Sequence, residues 1–428
     1  MQSSPSRFGS RATRAVLLAV LLTSAHAVSV SAEELFRFQY NEDEKYRILS
    51  TVDQNVFIDG VFSHRNQALN RISVAVEDVK DDAGFIDFRY SHSNKATSRS
   101  GVYRYGKEFS SEFWRDERGH YTIESDFLVP PTQDIPILPE EPIEERDTWT
   151  ATATEVFDLE SILGLQGVIR TEVPVQYEYL GEQEWKDGEY PAFSIRYNLF
   201  HRPEQRSADP WYPVRITGST EQTYYWDPDR GRASGYEESY VFVFNTQNGQ
   251  TIQFEGTASA EVLNAEPLDR EKVQEDVEKD LEDLGVDDAS VSSDEDGVTI
   301  TLDNVQFPPD SALLVESEQE KLRRIASILK KYPDRDILIT GHTALAGTAE
   351  GRQQLSEERA AAVGNFLIEE GVRNRERLLF RGMGAREPVA DNSTEEGMRK
   401  NRRVEITILE NEEPGRKASA CVFPMDGV

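Results

Sequence analysis

The chain has 428 residues, a length that allows roughly two to four domains with sizeable cores. Its 47 Lys and Arg stand against 78 Asp and Glu, and the formal charge of -31 argues against nucleic acid and anionic lipid surfaces as partners, because like charges repel. The single cysteine, Cys421, excludes an intramolecular disulfide, so packing must hold the fold together.

The N-terminal segment has the pattern of a secretory signal. Three arginines precede an apolar run at 15–22 that is too short to span a bilayer, and small residues follow at positions suited to cleavage. We therefore predict a signal peptide at 1–32 and a periplasmic protein that begins near Glu33, with outer-membrane association as an alternative. No Cys lies directly after the apolar run, so a lipid anchor is not expected, and no later run is long enough to predict a transmembrane helix.

Residues 36–264 alternate apolar and polar side chains with a period of two, which is typical of half-buried antiparallel strands. The segment from Ile252 to Val262 is the clearest example. Turn sequences separate the strands at Asp59-Gly60, Asp187-Gly188, Asp227-Pro228 and Asn248-Gly249. These patterns predict an all-β region with a sandwich or barrel-like architecture.

Five prolines between Pro130 and Pro142 cannot lie inside a central β-ladder, and we interpret this segment as a connector. It would divide the β region into two lobes, at 33–140 and 141–264. A transmembrane barrel is the alternative. The connector, the charged loops and acidic strands such as Tyr177–Trp185 favour the sandwich.

After Pro267 the apolar period becomes helical. Val273, Val277, Leu281 and Leu284 form one stripe between an N-cap at Asp269 and a stop at Gly285, which predicts a helical linker at 265–297. Strand and helix patterns then alternate through 298–410, as expected for a layered α/β domain with the order βαβαββ, and a tail follows at 411–428. The whole chain is thus predicted to be an α+β multidomain protein.

Several motifs of the last domain occur in a characteristic order. They are Gly341-His342-Thr343, Leu355-Ser356-Glu357-Glu358-Arg359-Ala360, Gly382-Met383-Gly384, Asn392 and Asn401-Arg402-Arg403-Val404-Glu405. In this order and spacing the segment 298–410 resembles the OmpA-like, peptidoglycan-associated domain family. The resemblance covers about a quarter of the chain and implies nothing direct about the β region.

The resemblance also implies a binding site for the peptidoglycan stem peptide. Arg359 would contact a ligand carboxylate, because a guanidinium offers two parallel donors. Arg402 would be a second cationic contact, although it would equally suit a surface ion pair, and Thr343 would be a hydroxyl or backbone partner. The family carries an Asp where this chain has Ala344 and commonly an Asn where it has Arg352, so we expect weakened binding to diaminopimelate.

No constellation in the sequence supports catalysis, a metal site or a cofactor, and His342 has no neighbouring His in the sequence. The first functional hypothesis is a non-enzymatic periplasmic envelope protein that contacts peptidoglycan with altered diamino-acid preference, with envelope proteins as further partners. The second is a divergent scaffold that no longer binds diaminopimelate and mediates protein contacts. The third is an outer-membrane β-barrel with a periplasmic OmpA-like domain.

Overall fold

The structure is a computed structural model that describes residues 33–95, 102–186, 188–204, 207–264, 268–294, 296–303 and 312–410. These residues all belong to one compact unit that begins at Glu33. The predicted signal peptide at 1–32 and the tail at 411–428 lie outside the described residues. No helix in the described part of the chain is long and apolar enough to cross a membrane.

The first part of the unit is a large antiparallel sheet with one short helix. Its elements are β1 Lys45–Ile58, β2 Val61–Lys80, β3 Ala83–Lys95, β4 Tyr103–Arg104, β5 Glu108–Arg115, β6 Tyr121–Ile123, β7 Thr132–Gln133, β8 Thr148–Asp158, α1 Leu159–Leu163, β9 Val168–Trp185, β10 Gly188–His201, β11 Pro213–Asp227, β12 Arg232–Thr246 and β13 Thr251–Asn264. The antiparallel strand order is β6-β5-β3-β2-β1-β13-β12-β11-β10-β9-β8-β7. The predicted β-rich character is confirmed, since strands account for 51% of the described residues.

Two of the predicted turns close hairpins through positive backbone angles. Asp59 and Gly60 have φ of 51° and 77° between β1 and β2, and Gly249 has φ of 85° between β12 and β13. Gly tolerates this conformation because it has no Cβ, and Asp is among the side chains that adopt it most readily. The predicted Asp187-Gly188 turn includes Asp187, which lies outside the described residues.

The proline-rich segment does not separate two sheets. β1, from the first predicted lobe, pairs with β13, from the second, along 13 residues from Tyr46↔Asn264 to Ile58↔Ile252. Ile137 and Leu138 of the segment are buried, so this stretch packs against the sheet instead of spanning a gap. The strands on both sides of residue 140 therefore share one sheet, while the domain boundaries themselves stay predictions.

The second part of the unit is a smaller mixed sheet covered by helices. Its elements are α2 Arg270–Asp283, β14 Ala289–Asp294, β15 Gly297–Asp303, α3 Glu316–Leu329, β16 Ile337–His342, α4 Ala349–Glu369, a 3₁₀ turn at Arg375–Arg377, β17 Leu378–Gly384, α5 Glu395–Asn401 and β18 Arg403–Leu409. The strand order is β14-β15-β18-β16-β17, with β16 and β17 parallel.

The predicted apolar stripes form the core of this smaller sheet. Leu322, Ile325, Ile328 and Leu329 of α3 are buried against the strands. The helix predicted as a linker, α2, packs into the same core through Val273, Val277 and Leu281, whereas Leu284 at its end is 38% exposed. α2 therefore packs into the C-terminal core by its apolar stripe, while its role as a linker at 265–297 stays a prediction.

Two elements of this part of the chain, a strand and a short helix, were absent from the sequence prediction. β14 precedes the predicted first strand, and its alternation of Ser, Val and Asp is too polar to stand out. α5 lies where a loop was expected, because it is only seven residues long and contains Gly397. Thr394 nevertheless caps it, accepting a hydrogen bond of 3.0 Å from the Gly397 N–H.

The two sheets meet at one edge. β4 pairs in parallel with β17, and Leu69 and Tyr103 pack against Leu338 and Leu379. Asp336, only 4% exposed, lies at this contact among three arginines that come from both sheets. The C-terminal sheet is therefore held against the β region by backbone pairing, apolar contact and charge.

Candidate functional site

Two loops border the candidate site. The first, 343–348, connects β16 to α4, and the second, 385–394, connects β17 to α5. The Thr343 N–H donates a 2.7 Å hydrogen bond to the Gly384 carbonyl, which ties the first loop to the end of β17. Both loops therefore lie at the same edge of the sheet, at the carboxyl ends of two parallel strands, where ligands often bind in α/β folds.

A pair of asparagines fixes the two loops to each other. Asn401 is 1% exposed, and its amide oxygen accepts from the N–H groups of Val389 and Ala390 at 2.8 and 2.9 Å. Its amide nitrogen donates to the Ala390 carbonyl at 2.8 Å and to Asn392 at 2.9 Å. Asn392 in turn accepts from the Leu345 N–H at 3.0 Å, so one network spans both loops.

We expect Asn401→Ala to lower the free energy of unfolding by about 2 kcal/mol, because it removes a buried amide whose oxygen accepts from the N–H groups of Val389 and Ala390. Urea titration measures the loss, and hydrogen exchange should speed up at the amides of residues 389 and 390. Lys400→Ala changes an exposed neighbour on α5 and is the control. Equal exchange in both variants would contradict the proposed role of Asn401.

The helix α4 approaches the sheet closely through glycines. A Cβ at Gly341 would lie 2.2 Å from the Ser356 carbonyl oxygen, and one at Gly382 would lie 2.4 Å from the Ser356 hydroxyl. That hydroxyl accepts a 2.9 Å hydrogen bond from the Gly384 N–H. The glycines and Ser356 of the sequence motifs therefore set the distance between α4 and the strands.

The side chain of His342 belongs to the interior. It is 2% exposed, and its Nε2 lies 3.2 Å from a carboxylate oxygen of Glu405. Burial raises the pKa of Glu405, but His342 and Arg403 outweigh burial and hold it at about 2. Among the described residues no group of three or more His, Cys, Asp or Glu could hold a metal ion.

The five residues predicted for the site lie on three segments. Thr343 and Ala344 begin the first loop and are 6% and 5% exposed. Arg352, in the first turn of α4, donates a 2.5 Å hydrogen bond to the Gly347 carbonyl. Arg359 lies seven residues further along α4, about two turns, and therefore on the same helix face.

The fifth predicted residue, Arg402, directly follows Asn401. Its side chain is 36% exposed, and its guanidinium lies 3.6 Å from Glu395 of α5. The surface ion pair that the sequence left open is therefore present. A ligand carboxylate would have to compete with Glu395 for this arginine.

Two apolar side chains at the site were not predicted from the sequence as site residues. Leu345 on the first loop and Val389 on the second are each 59% exposed. Both lie close in sequence to Thr343 and Asn392 of the motifs, and this closeness is the signal that could have identified them as site residues. They add apolar surface beside the arginines.

A separate groove of about 640 Å³ lies on the large sheet and reaches the C-terminal sheet at Glu376. Polar side chains paired across neighbouring strands line it, including Ser194, Thr223, Glu237, Ser259 and Thr51. None of the five predicted site residues lines this groove.

Comparison with known proteins identifies relatives of the C-terminal part. The OmpA family model matches residues 306–402. Over 120 residues the chain is 37% identical to the probable lipoprotein YiaD of Escherichia coli. This match covers 28% of this chain and 54% of that relative. Over 104 residues it is 38% identical to the peptidoglycan-binding protein ArfA of Mycobacterium bovis. That match covers 24% of this chain and 32% of the relative.

Solved structures resemble the same share of the chain. An outer membrane protein from Borrelia burgdorferi is 37% identical, and the match covers 28% of this chain and 96% of that one with a TM-score of 0.24. The chain spans about half or less of the length of the two curated relatives.

Proposed function

Residues 306–402 form a domain of the OmpA family, and from this premise we propose that the protein is a non-enzymatic cell-envelope protein whose C-terminal domain contacts the peptidoglycan stem peptide. The relatives include a probable lipoprotein and a peptidoglycan-binding protein, which supports the proposal of a cell-envelope protein. The proposed ligand group is a stem-peptide carboxylate, and the proposed contacts are Arg359, Arg352, Arg402 and Thr343.

The proposal rests on a change of charge at the site. The family arginine, Arg359, is retained, and the family carboxylate is missing. Arg352 and Arg359 share one face of α4, whereas buried Ala344 stands where the resemblance predicts an Asp. A ligand carboxylate would gain charge-assisted hydrogen bonds from the arginines, each contributing roughly 1.5–3 kcal/mol. A ligand ammonium would lack its carboxylate partner and would be repelled by Arg352.

We therefore expect an altered diamino-acid preference. The protein should bind diaminopimelate-containing walls weakly, because the ligand ammonium lacks its carboxylate partner, and its affinity should differ for walls built on another diamino acid. The test is sedimentation of residues 33–428 with purified sacculi of two types, one built on diaminopimelate and one on another diamino acid. Arg359→Ala should abolish sedimentation with the preferred wall, and Ala344→Asp should increase binding to diaminopimelate walls roughly tenfold.

Arg230→Ala is the matched control, because Arg230 is an exposed arginine in the turn after β11, far along the chain from the site. Sedimentation lost equally in both arginine variants would mean non-specific charge attraction. No sedimentation of the wild type with either wall would contradict wall binding and would favour the scaffold that mediates protein contacts.

A further inference from the structure

Exposed hydrophobic side chains are concentrated at one end of the large sheet. Seven of the twelve large exposed hydrophobic residues in the described part of the chain lie there. We call this surface the hydrophobic end, and it consists of Ile58, Val61, Phe62, Val168, Phe200, Trp211 and Val214. Their exposed fractions range from 36% at Ile58 to 69% at Val61, and exposed large apolar side chains gathered at one end of a fold indicate an interaction site.

Strand pairing places these residues together. Ile58 pairs with Val61 across the β1–β2 hairpin and with Ile252 on β13. The same row continues through Phe244 of β12 and Ile216 of β11 to His201 of β10. The β1–β2, β8–β9 and β10–β11 connections therefore all emerge at this end of the sheet.

The hydrophobic end lies far from the C-terminal sheet. Arg47, near the start of β1, contacts Asp336 at 3.5 Å, whereas Ile58 ends the same strand. Ile58 is 11 residue steps from Arg47, which corresponds to roughly 36 Å at about 3.3 Å per residue. The C-terminal sheet and the hydrophobic end are therefore at separate places on the molecule.

We propose that the hydrophobic end inserts into the surface of an uncharged phospholipid bilayer. Its apolar side chains lie at strand ends beside separate connections, and the polar turn at Asn248 and Gly249 lies between the two groups of them. A rigid, flat protein surface would contact such separated tips poorly, but a bilayer surface deforms around each of them. Aromatic side chains such as Phe62, Phe200 and Trp211 are favoured at the headgroup level.

Two carboxylates at these connections already accept backbone hydrogen bonds, which lowers the desolvation cost of insertion. Asp59 accepts from the Thr251 N–H and Asp209 accepts from the Trp211 N–H, both at 2.8 Å. The Arg202 guanidinium lies 5.3 Å from the ring centre of Phe200 and can reach lipid phosphates while the ring inserts. The overall charge of -31 opposes anionic lipids, so the proposed surface is zwitterionic.

The test is co-sedimentation of residues 33–428, which exclude the predicted signal peptide, with phosphatidylcholine vesicles. We expect the wild type to sediment with these vesicles, to do so at high salt, and to bind vesicles of anionic phosphatidylglycerol less. Val61→Ser/Phe62→Ser/Phe200→Ser should lower the partition coefficient roughly tenfold or more, because three exposed apolar side chains are lost. Leu35→Ser/Leu284→Ser/Leu313→Ser removes three exposed leucines from other regions and should leave it unchanged.

A second readout does not depend on the stability of the triple variant. Trp211 is 41% exposed, whereas Trp185 and Trp226 are buried, so brominated lipids should quench Trp211. Trp211→Phe should remove this quenching while vesicle binding persists. The proposal fails if wild-type protein does not sediment, if both triple variants bind equally, or if the hydrophobic end instead mediates self-association that the first triple variant abolishes. None of these outcomes depends on Arg359, so wall binding can fail or succeed independently.

Discussion

Asp336→Asn should lower the free energy of unfolding by about 4 kcal/mol and loosen the contact between the two sheets. The Asp336 carboxylate lies 2.9 Å from Arg71, 2.9 Å from Arg377 and 3.5 Å from Arg47. Removing its charge leaves three partly buried guanidinium groups without their shared anion, and breaking such buried networks costs roughly 3–5 kcal/mol. The arginines also lower the pKa of Asp336 against the effect of burial, so the carboxylate is charged at neutral pH.

Urea unfolding measures the loss, and one amide reports the contact itself. The Tyr105 N–H donates a 2.9 Å hydrogen bond to the Phe380 carbonyl, across the junction of the two sheets. Its hydrogen exchange should accelerate in Asp336→Asn. Asp334→Asn makes the same chemical change two residues away at an exposed side chain and should leave both quantities near the wild type. A variant that unfolds within 1 kcal/mol of the wild type and keeps Tyr105 protected would refute the role of this charge cluster.

The local features of the C-terminal domain could be predicted from the sequence. The helical stripe of α3, the N-cap at Asp269 and the final strand each depend on residues close in the chain, and all three are present in the structure. The spacing of the Gly, Ser and Asn motifs also indicated which loops form the candidate site. Whether Arg359 contacts a ligand stays a prediction, because a motif does not specify an affinity.

The relation between the sheets could not be predicted in the same way. β1 and β13 are about 200 residues apart in sequence, and alternating strands do not reveal which strands will pair. Arg47 and Arg71 look like ordinary surface cations of half-buried strands, and Asp336 looks like a residue that follows the end of a helix. Their shared role becomes visible only in the structure, where the two arginines form ion pairs with Asp336 across the junction of the two sheets.

The sequence likewise does not reveal which carboxyl groups become buried inside the large sheet. One of them, Glu155, leads to a pH-dependent prediction. This carboxyl group is 5% exposed and accepts hydrogen bonds from Tyr197 and, at 3.1 Å, from Thr132. Burial raises its pKa from 4.5 to about 7, with the two hydroxyls acting in the opposite direction. Burial and the nearby Glu155 likewise raise the pKa of Glu238 to about 7.

Between pH 4.5 and pH 7 the folded protein binds a proton at Glu155 that the unfolded chain has lost. Stability from this group is therefore fully present below pH 4.5 and is lost as the pH rises through about 7. The loss amounts to roughly 3 kcal/mol, since one pKa unit corresponds to about 1.4 kcal/mol. Glu155→Gln remains neutral at every pH and should not lose this amount.

The expected result is that the two stability curves diverge as the pH rises. At pH 5 the unfolding free energies of wild type and Glu155→Gln should be similar, and at pH 8.5 the variant should be more stable by up to about 3 kcal/mol. Glu172→Gln, an exposed carboxylate on the neighbouring strand β9, should follow the wild type at both values. Parallel curves for Glu155→Gln and the wild type would mean that the Glu155 carboxyl ionises in the folded protein without a burial cost. Removing Glu155 also removes a repulsive neighbour of Glu238, so the gain should be smaller in a protein that already carries Glu238→Gln.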